Sequence, residues 1–210
     1  MRLIFMGTPD FAIPTLRKLN DSRHTIEAVI TQPDKPKGRG RSVVATPVKA
    51  FALEHGLTVL QPQKASAPES VEQIASFEPD VMVVIAYGQI LKPNLLDVPR
   101  HFCMNIHASL LPKYRGAAPI NWSIINGDQE TGVTTMKMDA GMDTGDMLLK
   151  SKMMIEPHHT AQDVHDRLSE MGADLALQTL DQLEAGQLTP EVQDASQATL
   201  APKMKKDQII

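Results

Sequence analysis

Cysteine is nearly absent from this chain, and aromatic residues are few. The single thiol, Cys103, has no second cysteine to pair with. A disulfide-built scaffold is therefore excluded, and a reducing compartment fits. Phe, Trp and Tyr together make up 4 % of the 210 residues, so the core must be filled by aliphatic side chains and the twelve methionines. No apolar run reaches the roughly 18–20 residues that a membrane-spanning helix needs. The opening MRLIFMGTP carries too short an apolar run for a secretory signal. These gaps predict a soluble, cytoplasmic protein with no membrane association.

A glycine is also missing where a dinucleotide site would want one. The turn after the first apolar run reads Gly7-Thr8-Pro9-Asp10-Phe11-Ala12. The second glycine of G-x-G-x-x-G, which lets the backbone approach a pyrophosphate, is replaced by Pro9. A tight turn in a nucleotide-fold-like sheet is the better reading.

The chain alternates strand and helix signals. Short apolar runs at 2–6, 27–31, 57–60 and 80–86 are separated by helical patterns at 10–20, 47–56 and 68–77. Thr46-Pro47 reads as an N-cap followed by the first helical residue. Asp80 to Ala86 is almost wholly apolar, as a central parallel strand should be. Strands follow near 103–108, 131–138 and 147–155, with a short helix at 117–126. Thr160 caps a long helix that places Val164, Leu168, Met171 and Leu175 on one face and ends at Gly186. This order predicts an α/β fold, a Rossmann-like open, mostly parallel sheet with helices on both faces.

Charge is unevenly spread under a net value of -4. Residues 1–50 carry nine Lys/Arg against four Asp/Glu, whereas residues 127–200 carry four against fourteen. Lys35, Lys37, Arg39 and Arg41 alternate with Pro and Gly. This spacing suits a flexible loop whose cations meet successive phosphates, though a solvated loop has the same composition.

Two clusters could carry chemistry. In Asn105-Ile106-His107-Ala108-Ser109-Leu110-Leu111-Pro112, Asn105 and His107 are two apart and share one face of a strand. A carboxamide and an imidazole there could bind one oxygen and relay one proton. Taken alone, such a histidine is more often satisfied by local hydrogen bonds. The second cluster, Asp139 to Asp146, has two glycines and three acids in eight residues. It lacks the D-x-D-x-D-G spacing of a calcium loop.

Together the two clusters resemble the folate-dependent formyltransferases. Their signature is N-x-H-x-S-L-L-P, followed about 36 residues later by the Asp of a G-x-D-T-G-D loop. Here Asp143 stands 36 residues after His107, within Gly141-Met142-Asp143-Thr144-Gly145-Asp146. The resemblance implies the formyltransferase fold, with Asn105, His107 and Asp143 as the catalytic trio. It implies 10-formyltetrahydrofolate as co-substrate and no metal. It places folate against Ser109, Leu110, Leu111 and Pro112, against Tyr87, Gly88, Gln89, Ile90 and Leu91, and against Met142.

Arg115-Gly116-Ala117-Ala118-Pro119-Ile120 and the opening Phe5 to Ala12 are similar to the branch of the family whose acceptor is methionine on initiator tRNA. So is Gln32 to Arg41, which matches an inserted loop through which that branch engages the acceptor stem. The resemblance thus gives Lys35, Lys37, Arg39 and Arg41 to tRNA. It also implies a catalytic domain over 1–188, with 189–210 a linker toward a smaller β-barrel domain, the protein acting as a monomer. Leu111-Pro112 is expected to be a cis peptide. Three alternatives remain open: a formyltransferase acting on another amine such as an amino sugar, a 10-formyltetrahydrofolate hydrolase, and a non-catalytic RNA-binding module.

Overall fold

A computed structural model describes residues 1–37 and 42–205, with the side chains of Lys37 and Ser42 left out. The chain divides into two compact units, Met1–Asn105 and Ile106–Ile210.

The first unit is built on parallel strands. β1 (Arg2–Gly7), α1 (Ile13–Asn20) and β2 (Thr25–Ile30) form the first crossover. A hairpin of β3 (Lys35–Lys37) and β4 (Ser42–Val44) follows, then α2 (Pro47–Glu54) and β5 (Val59–Leu60). α3 (Pro68–Ala75) leads to β6 (Val81–Ile85), and α4 (Pro93–Leu96) to β7 (Phe102–His107). Pairings run β5-β2-β1-β6-β7, all parallel. The chain therefore works outward from β1 on one side, then returns to its other side. Right-handed crossovers place helices made before and after that reversal on opposite faces.

Local chemistry explains the elements. Every residue of β6 is buried, so its side chains can only be apolar. The Thr46 hydroxyl accepts from Lys49 N–H at 3.1 Å, the N-cap expected from Thr46-Pro47. Gly7 ends β1 where a Cβ would come within 2.9 Å of Ala12 Cβ and of the Phe5 ring. That close approach explains the turn glycine without any bound nucleotide.

Cys103 sits in β7, 1 % exposed, and burial pushes its thiol up to about 12, with Asp97 adding to the effect. The reactive thiolate is thus negligible near neutral pH. Cys103 is expected to resist iodoacetamide in the folded protein at pH 8 and to react at once in denaturant. Rapid alkylation of the native chain, followed by mass spectrometry, would refute this.

The second unit pairs β8 (Glu130–Lys137) antiparallel with β9 (Met147–Met154), and α5 (Pro119–Ile125) precedes them. α6 (Ala161–Glu184) opens with a capping box, Thr160 and Asp163 bonding reciprocally, and stops before Gly186, whose φ is +68°. Val164, Leu168, Leu175, Ala176 and Leu180 form its buried stripe. Met171, expected on that stripe, is only half-buried. Gly172 takes the inner position instead, where a Cβ would lie 3.0 Å from Ile106 Cγ2.

Residues 189–205 depart from the linker reading. Glu191 and Met147 exchange both backbone hydrogen bonds at 2.8 Å. Arg115 N donates to Thr199 O and Ala201 N to Arg115 O, so 199–201 pairs with 115 as well. Ala201 is fully buried. The segment is polar and aperiodic because it is bound by hydrogen bonds rather than by an apolar face. Residues 206–210 lie outside the described residues. No helix among the described residues is long and apolar enough to cross a membrane.

Candidate active site

β7 ends by delivering His107, 6 % exposed, into the second unit. Its Nε2 lies 2.8 Å from Tyr114 O. A carbonyl can only accept, so Nε2 carries the proton and, in the neutral ring, Nδ1 is left with its lone pair. Nδ1 faces Asp143 Oδ2 at 3.7 Å, beyond direct hydrogen-bond reach. The same carboxylate oxygen accepts Gly116 N–H at 2.8 Å. One proton-accepting nitrogen and one anchored carboxylate thus flank a gap that a water or an amine could bridge. Asn105 precedes His107 by two residues on the same strand and so emerges on the same face, partly exposed.

The backbone around this pair is held in unusual conformations. Asp143 has φ +55° and Tyr114 has φ +61°, a region few non-glycine residues adopt. Both are tied by contacts: Tyr114 N donates to Thr199 Oγ1 at 2.9 Å, and Asp143 O accepts from Gln193 Nε2 at 2.8 Å. In the Asp139–Asp146 loop, Asp139 Oδ1 accepts from Gly141 N and from Thr144 Oγ1, closing the turn on itself. A Cβ on Gly141 would meet Thr144 Oγ1, and one on Gly145 would meet Lys137 O. These contacts are why the loop needs both glycines.

The residues expected around folate divide sharply. Leu111-Pro112 is cis. Ser109 is 1 % exposed, and its hydroxyl donates to Lys113 O at 2.6 Å. Leu111 is buried against Met136 and Met147. Leu110, Leu111 and Pro112 border a cleft of about 350 Å³ whose rim carries Asp128, Glu130, Lys150 and Lys152, and which neither His107 nor Asp143 lines. The Ser109–Pro112 turn thus closes the end of β7 with the side chains of Ser109 and Leu111 turned inward. Gln89 is likewise committed: its Oε1 accepts from Ala65 N, and its Nε2 donates to Gln63 O. Tyr87 and Leu91 are buried. The Tyr87 carbonyl accepts from Thr8 Oγ1 and Gln32 Nε2, and burial pushes its phenol up to about 12. Gly88 is exposed, and Ile90 and Met142 are 87 % and 60 % exposed.

The basic segment, read from sequence as a flexible loop, is a hairpin in its described part. Lys35 pairs with Val44 and Lys37 with Ser42 in antiparallel register. Arg39 and Arg41 lie outside the described residues. The hairpin is rooted by Asp34, which accepts from Lys49 Nζ and from Gln61 Nε2. Those bonds, Lys49 first, hold the Asp34 carboxyl below the usual carboxylate range. Gly116, Gln193 and the Tyr114 carbonyl were not legible as site residues. Gly116 and Gln193 reach Asp143 from 27 and 50 residues away, and no local pattern marks them or the Tyr114 carbonyl.

Comparison with known proteins gives the family and the fold. The formyl transferase family pattern matches residues 1–180. A methionyl-tRNA formyltransferase of Geobacter metallireducens is 58 % identical over 207 residues, covering 99 % of this chain and 67 % of that protein. One from Caldanaerobacter subterraneus is 51 % identical and is covered to the same two thirds. Among solved structures, glycinamide ribonucleotide transformylase 1 from Symbiobacterium toebii superposes with a TM-score of 0.76 at 17 % identity, covering 92 % of this chain and 94 % of that one. An N-formyltransferase from Helicobacter canadensis, in complex with folinic acid and dTDP-3-aminofucose, gives 0.74 at 18 % identity over 99 % of this chain and 72 % of that one. At such identity these two structures establish the fold alone.

Proposed function

We propose that this chain, which belongs to the formyl transferase family, moves a formyl group from 10-formyltetrahydrofolate to the α-amino group of methionine on initiator tRNA. The observation that carries the reading is the His107–Asp143 gap: Nδ1 and a carboxylate oxygen 3.7 Å apart, each held from behind by a backbone partner. Relatives named for this reaction, more than half identical over nearly the whole chain, favour tRNA as the acceptor over a nucleotide-linked sugar.

The exposed Gly88, with φ +89°, and Ile90 are assigned to the folate in the first unit, where the Ile90 side chain suits a partly apolar ring system. When bound, the folate supplies an activated formyl group. Asn105 donates from its carboxamide to the formyl oxygen as negative charge grows there, an effect worth about 3 kcal/mol per donor. Asp143 accepts a proton from the incoming ammonium, directly or through water, leaving a free amine to attack. As the amine nitrogen bonds to the formyl carbon, His107 takes its surplus proton at Nδ1 while Nε2–H stays on Tyr114 O, so the ring does not turn as it charges. The imidazolium sets a positive charge beside the developing oxyanion, and His107 would return the proton to the folate nitrogen as the bond from that nitrogen to the formyl carbon breaks.

The direct test is a formylation assay with purified protein, 10-formyltetrahydrofolate and Met-tRNA, with formate release measured in parallel without amine. Methionine-bound formyl that depends on the tRNA is expected. Formate release at an equal rate with no acceptor would replace the transferase reading with the hydrolase one.

Lys35 and Lys37, with Arg39 and Arg41, are assigned to the acceptor stem. Changing Arg39 and Arg41 to Gln should weaken use of Met-tRNA and leave folate binding alone. The slope of log affinity against log salt should fall by roughly 0.7–0.9 for each phosphate no longer neutralised. An unaltered salt slope and unaltered KM for tRNA would reduce the hairpin to a solvated surface feature.

A further inference from the structure

We infer that Gln193, with Arg115 behind it, is a positioning residue for Asp143. The inference rests on the reading of Asp143 as part of the reaction centre. Gln193 lies in the polar stretch after α6, yet it is only 7 % exposed. Its Nε2 donates both hydrogens, one to Asp143 O at 2.8 Å and one to Gly145 O at 2.7 Å. Its Oε1 accepts from Arg115 Nε at 3.1 Å and Nη2 at 2.8 Å. All four hydrogen-bonding positions of the amide are therefore used. The two carbonyls it grips flank Thr144, so one buried amide fixes the backbone of the loop on both sides of its turn.

The consequence reaches the Asp143 carboxylate from two directions. Gln193 sets the main chain from which the side chain projects, and it does so while φ at Asp143 is +55°, a conformation that surrounding contacts must hold in place. Arg115 precedes Gly116, whose N–H is bonded to Asp143 Oδ2. The Arg115–Gln193 contact thus couples the donor to the loop that carries the acceptor. The neighbouring residues 199–201 secure the same frame, with Thr199 Oγ1 and Thr199 O accepting from Tyr114 N and Arg115 N. The stretch from Glu191 to Ala201 is a strap across the reaction centre.

Gln193→Met keeps the length of the side chain and removes every hydrogen bond. Gln193→Glu keeps an acceptor for Arg115 but presents a carboxylate to two carbonyl oxygens. Both variants should lower kcat by roughly tenfold to a hundredfold, as expected for a displacement of about 1 Å at a reacting group. KM for folate should stay within about threefold, because no residue of the strap is assigned to the folate. Amide exchange at Gly116 should become faster in both variants, since its acceptor moves.

Unchanged kcat in Gln193→Met, with or without faster exchange at Gly116, would overturn the inference. So would a Gln193→Glu enzyme as active as the parent, because the effect would then run through Arg115 alone. Reduced kcat with unaltered Gly116 exchange would also overturn it. If the parent chain shows no formyl transfer, faster Gly116 exchange in both variants still upholds the positioning role, and it is the proposed reaction that fails. If Gln193→Met does not fold, Gln193→Glu carries the same two measurements.

Discussion

Asp143→Asn is expected to lower kcat for formyl transfer by roughly 10²–10⁴, the range typical of removing a positioned proton acceptor. The substitution is close to isosteric. An amide oxygen can still accept from Gly116 N–H, now found at 2.8 Å, so the loop has little reason to move. What disappears is the charge and the capacity to take a proton beside His107 Nδ1. Binding of the folate, followed by fluorescence or calorimetry, should change by no more than a few-fold. The defect should therefore appear in kcat, the pattern of an interaction made mainly in the transition state. An Asp143→Asn enzyme retaining more than about a tenth of parental kcat would remove Asp143 from the reaction and leave it a structural anchor for Gly116.

Gly145→Ala should damage stability and activity together. A Cβ at this position would run into Lys137 O, a backbone atom at the end of β8. Lys137 N is itself bonded to Asp146 O at 2.8 Å, so neither backbone segment can yield without opening the loop. Overpacking of this kind costs typically 1–3 kcal/mol and more where backbone must shift. At roughly 2–4 °C per kcal/mol for a chain of this size, the Tm should fall by about 4–10 °C. Because Gly145 O is one of the two acceptors of Gln193, the loop should also release Asp143, and kcat should fall at least tenfold even well below the new Tm. An alanine variant with a Tm within about 2 °C of the parent and full activity would show that the loop adopts another conformation in solution.

The strands and helices were legible because hydrophobic periodicity is a local signal. The apolar run at 80–86 contains the fully buried strand Val81–Ile85, and the caps at Thr46 and Thr160 lie where hydroxyls precede helical patterns. The basic hairpin was less legible. Three-residue strands give too few positions for alternation to register, and Pro36 argues against a strand, although a two-stranded hairpin has edges that can take it. The docking of residues 191–201 was not legible for a related reason. A segment docked through single hydrogen bonds keeps a polar composition, and composition alone cannot separate it from a solvated tail.

The amino-acid sequence carried the family resemblance through Asn105, His107 and Asp143 with their spacing, and strand alternation puts the first two on one face. The folded chain set what surrounds those groups. It is Tyr114 O, seven residues away, that claims His107 Nε2 and leaves Nδ1 toward Asp143. Gly116 and Gln193, 27 and 50 residues from Asp143 along the chain, hold its side chain and its backbone. Tertiary structure also gave the Ser109 hydroxyl to Lys113 O and packed Leu111 against Met136 and Met147. The physical reason is common to all of these. A residue's own sequence neighbours set its backbone direction, whereas a buried polar group bonds whichever donor or acceptor the folded chain brings within about 3 Å.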